Sequence, residues 1–446
     1  MNNGWILSRD LPIRADQALD MPGSERDHCG TVKKEYLCHR LTGEAMTTSS
    51  HHPLSLSAFD ISAERGFLPT TDPLDQLPDE PVLNQLGAEL PKFLTARQFR
   101  HFIQDRKEVL GAVADDWGLD AFRCTMRTLS FAGHAYVWED PDHPASRLPA
   151  SLALPWYSVA QQLGRPPVLS YASYALHNWR RLDPQKPIEL GNIVLLQNFL
   201  AGLDEEWFVL VHIEIEAEAG PGLMGLVQAQ NAAQENREED VLQGLRALAT
   251  AQEAMRETLL RMPERCDPYI YYSRVRPYIH GWKNSPALPQ GLVYEGVAAY
   301  EERPQQLRGE TGSQSSIVPS LDAGLGVRHA DDPLTQYLEE MRDYMPPRHR
   351  AFLTALEARV DGQQRPLLYG YARDRKTTHP ELWKAFCVCV ELLAQFREIH
   401  IDYAERYIFR QHQSHASNPT AVGTGGTPFM PYLNKHLEET KRFVQD

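Results

Sequence analysis

An all-α fold is the class predicted by this 446-residue chain, and three observations carry the expectation. After Thr95, apolar residues recur at helical spacing over most of the length. Period-2 alternation closed by Asn-Gly or Asp-Gly turns is scarce. No internal repeat marks a solenoid or a propeller. With 42% hydrophobic and 9% aromatic residues, the chain can bury a sizeable core, which argues against bulk disorder.

Residues 1–55 read as a tail: their apolar residues have no period and run into Thr47-Thr-Ser-Ser-His-His-Pro53. From Ala58 to Leu94, Pro69, Pro73, Pro78, Pro81 and Pro91 predict an extended lead-in, because proline breaks helix interiors. Thr95-Ala-Arg-Gln98 has the form of a capping box, and Phe102, Ile103, Val109, Leu110 and Val113 follow at helical spacing. The pattern continues through Ala114–Tyr136. Pro-rich joints are expected at Pro141–Pro155 and at Pro166-Pro167, the second before a helix over Ser170–Arg181. Asp183–Asp204 reads as a connector.

Phe208–Ile213, apolar on both faces, predicts a buried helix ending near Gly220 and Gly222. Leu226–Met262 has the clearest amphipathic pattern, with Val241, Leu242, Leu245, Leu248, Met255 and Leu259 on one side and the charge run Glu235–Asp240 as a solvated face. Further helices fit Thr335–Tyr344, Arg348–Ala358, Pro380–Arg410 and Pro428–Phe443. The expected organisation is a tail over residues 1–55, a smaller N-terminal helical domain over 56–199 and a larger C-terminal helical domain over 200–446.

Composition narrows the function classes. The balance of 45 Lys+Arg against 59 Asp+Glu leaves a formal charge of −14. An acidic chain with no basic cluster lacks the footprint of nucleic-acid binding. No run approaches the ~18 apolar residues of a membrane span, and Met1–Asp10 lacks a basic segment ahead of an apolar stretch. Six cysteines are too few for a disulfide scaffold and suit a reducing compartment. A cytoplasmic protein is expected, and a monomer, since no heptad seam demands a partner.

The candidate chemistry centres on histidine. Cys29, Cys38 and His39 are metal-ligand types, but no second pair at zinc-finger spacing accompanies them. Cys387 and Cys389 point to different faces of one helix and read as packing residues. Gly423-Thr-Gly-Gly-Thr427 lacks the strand and lysine of a nucleotide cradle. It fits helix capping, with Thr427 as N-cap and Pro428 at N1, within a polar segment Ser414–Gly426 of the kind that closes over ligands. His400 lies on the stripe Phe386, Val390, Leu393, Phe396 and Tyr407, and His212 lies within Phe208-Val-Leu-Val-His-Ile213. Each is either a hydrogen-bonded core histidine or a ligand, and one imidazole nitrogen is what a haem iron takes. Arg276, in Tyr271-Tyr-Ser-Arg-Val-Arg-Pro-Tyr278, is a planar cation suited to a carboxylate or to a structural ion pair.

Together these stretches resemble the indoleamine 2,3-dioxygenase family from about Phe59 to Phe443. The segments that carry the resemblance are Ala135-Tyr-Val-Trp138, Arg165-Pro-Pro-Val-Leu-Ser-Tyr-Ala172 with Asn178-Trp179, Gly281-Trp282, Gly291-Leu-Val-Tyr-Glu-Gly296 and Gln314-Ser-Ser316. Met341-Arg-Asp-Tyr-Met-Pro-Pro347 with His349-Arg350, Arg397-Glu-Ile-His400 and Gly423–Thr427 complete the set, in order and at matching spacing.

The resemblance implies a small and a large helical domain, the large one holding haem b, ferrous in the active state, with O₂ as co-substrate and an electron donor to keep the iron reduced. His400 matches the proximal iron ligand, and Arg397 with Asp322 matches a pair beside the haem. Arg276 matches the carboxylate-binding arginine, Thr424 the closing loop, and Gly312 the residues over the haem. Tyr171, Tyr174, Ala175, Phe208, His212 and Tyr271 match the indole-facing wall.

At His212 the animal enzymes carry a small hydroxyl residue, at Tyr271 a phenylalanine is usual, and at Tyr174 a smaller residue. His212 is therefore expected to accept the indole N–H, in a more polar pocket. The implied reaction inserts both atoms of O₂ across the indole 2,3 double bond of L-tryptophan or a close analogue, giving N-formylkynurenine-type products. The alternatives are a member diverted to secondary metabolism or simple indoles, similar to the pyrrolnitrin-pathway enzyme, and a non-catalytic O₂-binding protein similar to some invertebrate myoglobins.

Overall fold

The computed structural model describes residues 52–78, 80–106, 110, 117–331, 333–411, 424 and 430–444. All of these fall within Thr47–Asp446, which clusters as one unit. The fold is all-α, as the sequence predicts. Among the described residues, β structure is confined to two short strand pairs and three isolated bridges. Strands β1 (Arg147–Leu148) and β4 (Val293–Tyr294) pair in parallel; β2 (Trp179–Arg181) and β3 (Ile193–Leu195) pair antiparallel.

The expected lead-in is helical in its second half. Helix α1 spans Pro81–Ala96 and buries Leu83, Leu86, Leu90 and Leu94. Pro81 sits in the first turn, where its missing N–H has no helical partner to lose. Thr95 therefore ends a helix instead of starting one, with Arg97 left-handed (φ 50°) just beyond. The next helix, α2 (Phe99–Gln104), is capped by a carboxylate from elsewhere: Glu139 accepts from the Phe99 and Arg100 N–H groups at 2.5 and 3.3 Å.

Helix α3 (Leu119–Trp138) is buried at every position from Cys124 to Trp138. Its Arg127 donates to the carbonyls of Leu74, Asp75 and His177, each at 2.9 Å, and so pins the proline-rich segment to the core. Helix α4 (Ala150–Leu163) carries Pro155 inside it, so the expected Pro141–Pro155 joint is shorter than proposed. At Gly133, where α3 meets α4, an added Cβ would stand 2.1 Å from the Trp156 ring.

The expected Ser170–Arg181 helix is a single π turn, Ala172–Leu176, followed by β2. Asp183–Asp204 holds the partner strand β3. Helix α5 runs unbroken over Leu203–Gln234, through Gly220, Pro221 and Gly222. Those glycines serve close approach and do not terminate the helix. A Cβ on Gly225 would lie 2.6 Å from the carbonyl oxygen of Gly244 on α6 (Glu238–Leu260), so the two helices cross almost backbone to backbone. The predicted Leu226–Met262 element is thus the end of α5, a turn at 235–237 and α6.

The remaining described helices of eight residues or more are α7 (Ile317–Leu325), α8 (Pro333–Arg342), α9 (Pro347–Glu357), α10 (Leu367–Asp374), α11 (Pro380–Tyr407) and α12 (Met430–Arg442). Their positions match the four helices expected here; α7 and α10 were not foreseen. Helix α11 packs on α6, α7, α10 and α12. No described helix is long and apolar enough to cross a membrane.

Candidate functional site

Helix α11 is tightly packed at both ends and open in the middle. Leu392, Leu393 and Ala394 are buried, as are Ala404 and Tyr407, but no residue from Gln395 to Tyr403 is. His400 stands in this opening. Its ring keeps accessible surface, yet burial followed by the nearby charges of His212 and Arg397 pushes its pKa down to about 4. His400 makes no hydrogen bond to any described residue, and at neutral pH it is an imidazole with a lone pair to give. His134 shows the contrasting case: its Nδ1 donates to the Tyr278 carbonyl at 2.8 Å and its Nε2 accepts from Leu169 N–H at 3.0 Å. Both of its nitrogens are engaged, as in a structural core histidine.

His212, on α5, lies near enough to His400 to add to the lowering of its pKa. Burial lowers its pKa, so the ring is neutral. Its Nδ1 lies 2.7 Å from the Phe208 carbonyl, which only accepts, so Nδ1 carries the proton. Nε2 is left as an acceptor. The Phe208 and Tyr171 rings lie 4.7 and 6.1 Å from the His212 ring, and Phe208 continues to Tyr271 at 4.7 Å and Tyr271 to Tyr407 at 5.9 Å.

Two π turns build these walls. Tyr171 precedes the turn Ala172–Leu176, and its N–H donates to Gln314 Oε1 at 2.9 Å. Burial, then Glu216, pushes the Tyr171 phenol up, while Glu216 is itself pushed up to about 7 by burial and accepts from Ser315 Oγ at 2.8 Å. Tyr174 and Ala175 lie within that turn, fully buried. The Tyr174 ring packs on Phe131 and Phe199, and its hydroxyl has no hydrogen-bond partner among the described residues. The second π turn, Tyr271–Val275, delivers Arg276. That guanidinium is 0% exposed, 5.6 Å from the Tyr272 ring centre, and lowered by burial to about 10, so it keeps its charge at neutral pH. π turns are uncommon and gather at functional sites.

Thr424 donates through Oγ1 to the Glu310 carbonyl and accepts from Gly281 N–H at 3.4 Å. The other residues of Gly423–Thr427, with Pro428, lie outside the described residues, as do Cys29, Cys38 and His39. Gly312 opens a 3₁₀ turn, and an added Cβ there would meet nothing within 4 Å. Cys389 packs with its Sγ 3.3 Å from the Leu245 carbonyl, while Cys387 is half-buried, as two packing residues should be.

Beyond His400, Arg397 Nη2 donates to Asp322 Oδ2 at 2.5 Å and Nη1 to Thr440 Oγ1 at 2.9 Å. Burial opposes ionisation of Asp322, but Arg397 and His329 outweigh it and hold the carboxyl below its usual range. His329 bonds Glu439 at 2.7 Å and stacks on His436 at 3.8 Å, tying α12 to this pair.

Of the residues named from the sequence, Tyr171, His212, Phe208 and Tyr271 form one run of ring contacts, with His400 and Arg276 within electrostatic range of it. Sequence reasoning missed Glu216 and Glu310, which lack a periodic or motif signal of their own, and it named Tyr407 only as a stripe position and Gln314 only within a motif. The residues present fit a haem. A neutral imidazole stands in the opening of α11 with no partner among the described residues, an added Cβ at Gly312 would meet nothing within 4 Å, and Arg397, one turn before His400, offers a cation for an acidic side group.

The family model described as "IDO: Indoleamine 2,3-dioxygenase" matches residues 55–443. The chain is 35% identical to indoleamine 2,3-dioxygenase 2 of Homo sapiens over 402 residues, covering 87% of this chain and 95% of that one. It is 30% identical to indoleamine 2,3-dioxygenase of Saccharomyces cerevisiae over 431 residues, covering 86% and 92%. It is also 30% identical to a myoglobin of Haliotis madaka over 405 residues, covering 88% and 99%.

Proposed function

The chain belongs to the indoleamine 2,3-dioxygenase family, and from that premise we propose that it is a haem dioxygenase opening the indole ring of L-tryptophan. The observation that carries this is the pairing of His400 and His212, two neutral imidazoles within electrostatic reach of each other, with a ring chain from His212 through Phe208 to Tyr271 that leads to the segment bearing the buried Arg276.

His400 would hold the iron of haem b through its free lone pair, and Arg397, steadied by Asp322, would meet an acidic side group of the porphyrin. When bound, ferrous haem supplies the chemistry that adds both atoms of O₂ across the indole 2,3 double bond, giving N-formylkynurenine. The protein's own part is to bind and orient. Arg276 takes the substrate carboxylate in a bidentate grip. His212 accepts the indole N–H at Nε2, because Nδ1 is committed to Phe208. Tyr171, Tyr174, Ala175, Phe208 and Tyr271 fix the ring plane, and Thr424 closes the amino-acid end and excludes water. Residues 56–199 act as a smaller domain against a larger haem-holding one over 200–446. We place the protein in the cytoplasm, as a monomer served by a separate electron donor.

Aerobic turnover of haem-loaded, reduced protein against L-tryptophan, indole and 3-methylindole, with products identified by mass, tests this. N-formylkynurenine formed fastest from tryptophan is the expected result; faster opening of simple indoles refutes the substrate. A second reading, O₂ storage, is favoured by the match to the Haliotis protein. An O₂ store needs no recognition of a substrate carboxylate, so a haem absorption change on adding tryptophan separates the two.

A further inference from the structure

Glu310 carries a carboxyl that pairs with nothing among the described residues. It is 4% exposed and forms no side-chain hydrogen bond or ion pair, and burial alone pushes its pKa up to about 8. Its position is nevertheless fixed on both sides. Its N–H donates to the Ile279 carbonyl at 3.0 Å, three residues beyond Arg276, and its own carbonyl accepts from Thr424 Oγ1. The two backbones touch nearby: a Cβ on Gly281 would stand 2.1 Å from Gly309 N, so only glycine permits the approach. Glu310 is thereby held between the segment that bears Arg276 and the residue proposed to close the pocket.

The charges around it are equally specific. The Glu310 carboxyl couples to the phenols of Tyr171, Tyr174 and Tyr271, three residues of the aromatic lining. Tyr271 is also coupled to Arg276, so a buried cation and a buried acid flank one tyrosine. Glu216 stands behind Tyr171. A desolvated acid with no partner is costly in the folded state, and a cationic ligand relieves that cost.

On the reading that this cavity takes an indole amino acid, we propose that Glu310 binds the substrate's α-ammonium group while Arg276 binds its α-carboxylate. The site then selects zwitterionic amino acids over indoles that lack the amine. Below about pH 8 Glu310 is neutral, so arrival of an ammonium group expels its proton to solvent and leaves a carboxylate–ammonium pair.

Binding of L-tryptophan and of indole-3-propionate, which keeps ring and carboxylate but lacks the amine, is measured on the haem-loaded full chain by the haem absorption change. Wild type should prefer tryptophan. Glu310→Gln should weaken tryptophan binding by about tenfold or more and leave indole-3-propionate within about twofold, while Glu310→Asp retains part of the preference. Calorimetry at pH 7 in buffers of different ionisation enthalpy should show proton release on tryptophan binding that Glu310→Gln abolishes, which also separates Glu310 from Glu216. Equal weakening of both ligands in Glu310→Gln overturns the proposal, as does a wild type with no preference and no proton release. The latter two readings need no variant to fold. A wild type that opens no indole at all instead removes the underlying function, whereas normal ring opening with unchanged selectivity in Glu310→Gln sinks only the role of Glu310.

Discussion

Replacing Asp322 by Asn tests how the cationic side of the cavity is held. Asp322 receives Arg397 Nη2 at 2.5 Å and lies 3.6 Å from His329 Nε2, with side-chain exposures of 18% for Asp322 and 11% for Arg397. Removing one member of a buried ion pair strands the other and costs about 3–5 kcal/mol. Residual exposure, the retained amide oxygen and the Thr440 hydrogen bond reduce this to about 2–3 kcal/mol. An unfolding entropy of about 2 cal/mol/K per residue over roughly 400 residues converts that to a fall in Tm of about 3 °C.

The assay is urea and thermal unfolding of the full chain at matched haem loading. The sign with pH is fixed by the lowered folded pKa of Asp322. Its contribution is present above its unfolded pKa of about 4 and is lost as pH falls through the folded value, so the gap between wild type and Asp322→Asn should close on acidification. An apolar double replacement, Asp322→Leu with Arg397→Met, should be less destabilised than Asp322→Asn alone, since it strands no charge. A loss below about 1 kcal/mol, or a gap unchanged down to about pH 3, would refute the reasoning.

Three further outcomes are expected. His212→Leu removes the acceptor at Nε2, so it should lower kcat/KM for tryptophan by at least about tenfold while sparing 1-methyltryptophan, which has no N–H; equal losses on both would assign His212 a packing role. Gly133→Ala drives a methyl into the Trp156 ring and should destabilise by about 1–3 kcal/mol, whereas Gly312→Ala, facing open space, should stay within about 0.5 kcal/mol in chemical denaturation. Glu205 is buried and raised to about 7, above its unfolded value, although it accepts from Phe199 and Leu200 N–H. The folded state then holds the extra proton, so stability should fall as pH rises from about 5 through 7. Glu205→Gln should flatten that slope, and an unchanged slope excludes Glu205 as its source.

Where the sequence carried a one-sided apolar period, the helices were legible: α8, α9, α11 and α12 fall close to their expected positions. Misjudged boundaries have a common cause, since proline and glycine were taken as breaks. Pro81 starts a helix, Pro91 and Pro155 lie within helices, and Gly220 and Gly222 mark close approach to Gly66 and Ala251, which only the partner segment reveals. The cap of α2 was invisible because Glu139 reaches it from another helix. In the site, His400 and His212 stood out as polar rings in apolar runs, but the family resemblance, not periodicity, turned them into candidates. Glu310 left no trace: Arg308-Gly-Glu-Thr311 has no period, and its isolation exists only in three dimensions.

The two π turns give the pocket an unusual sensitivity to chain length. Each carries a residue more than an α-helical turn would need. A further residue inserted just after Tyr271–Val275, with no wider turn left to absorb it, would rotate everything after it by about 100°. Arg276 would then leave its place with no side chain of the aromatic wall changed. A single-codon insertion beside either turn is therefore a short route by which relatives of this scaffold could gain or lose amino-acid substrates, without touching the histidines at all.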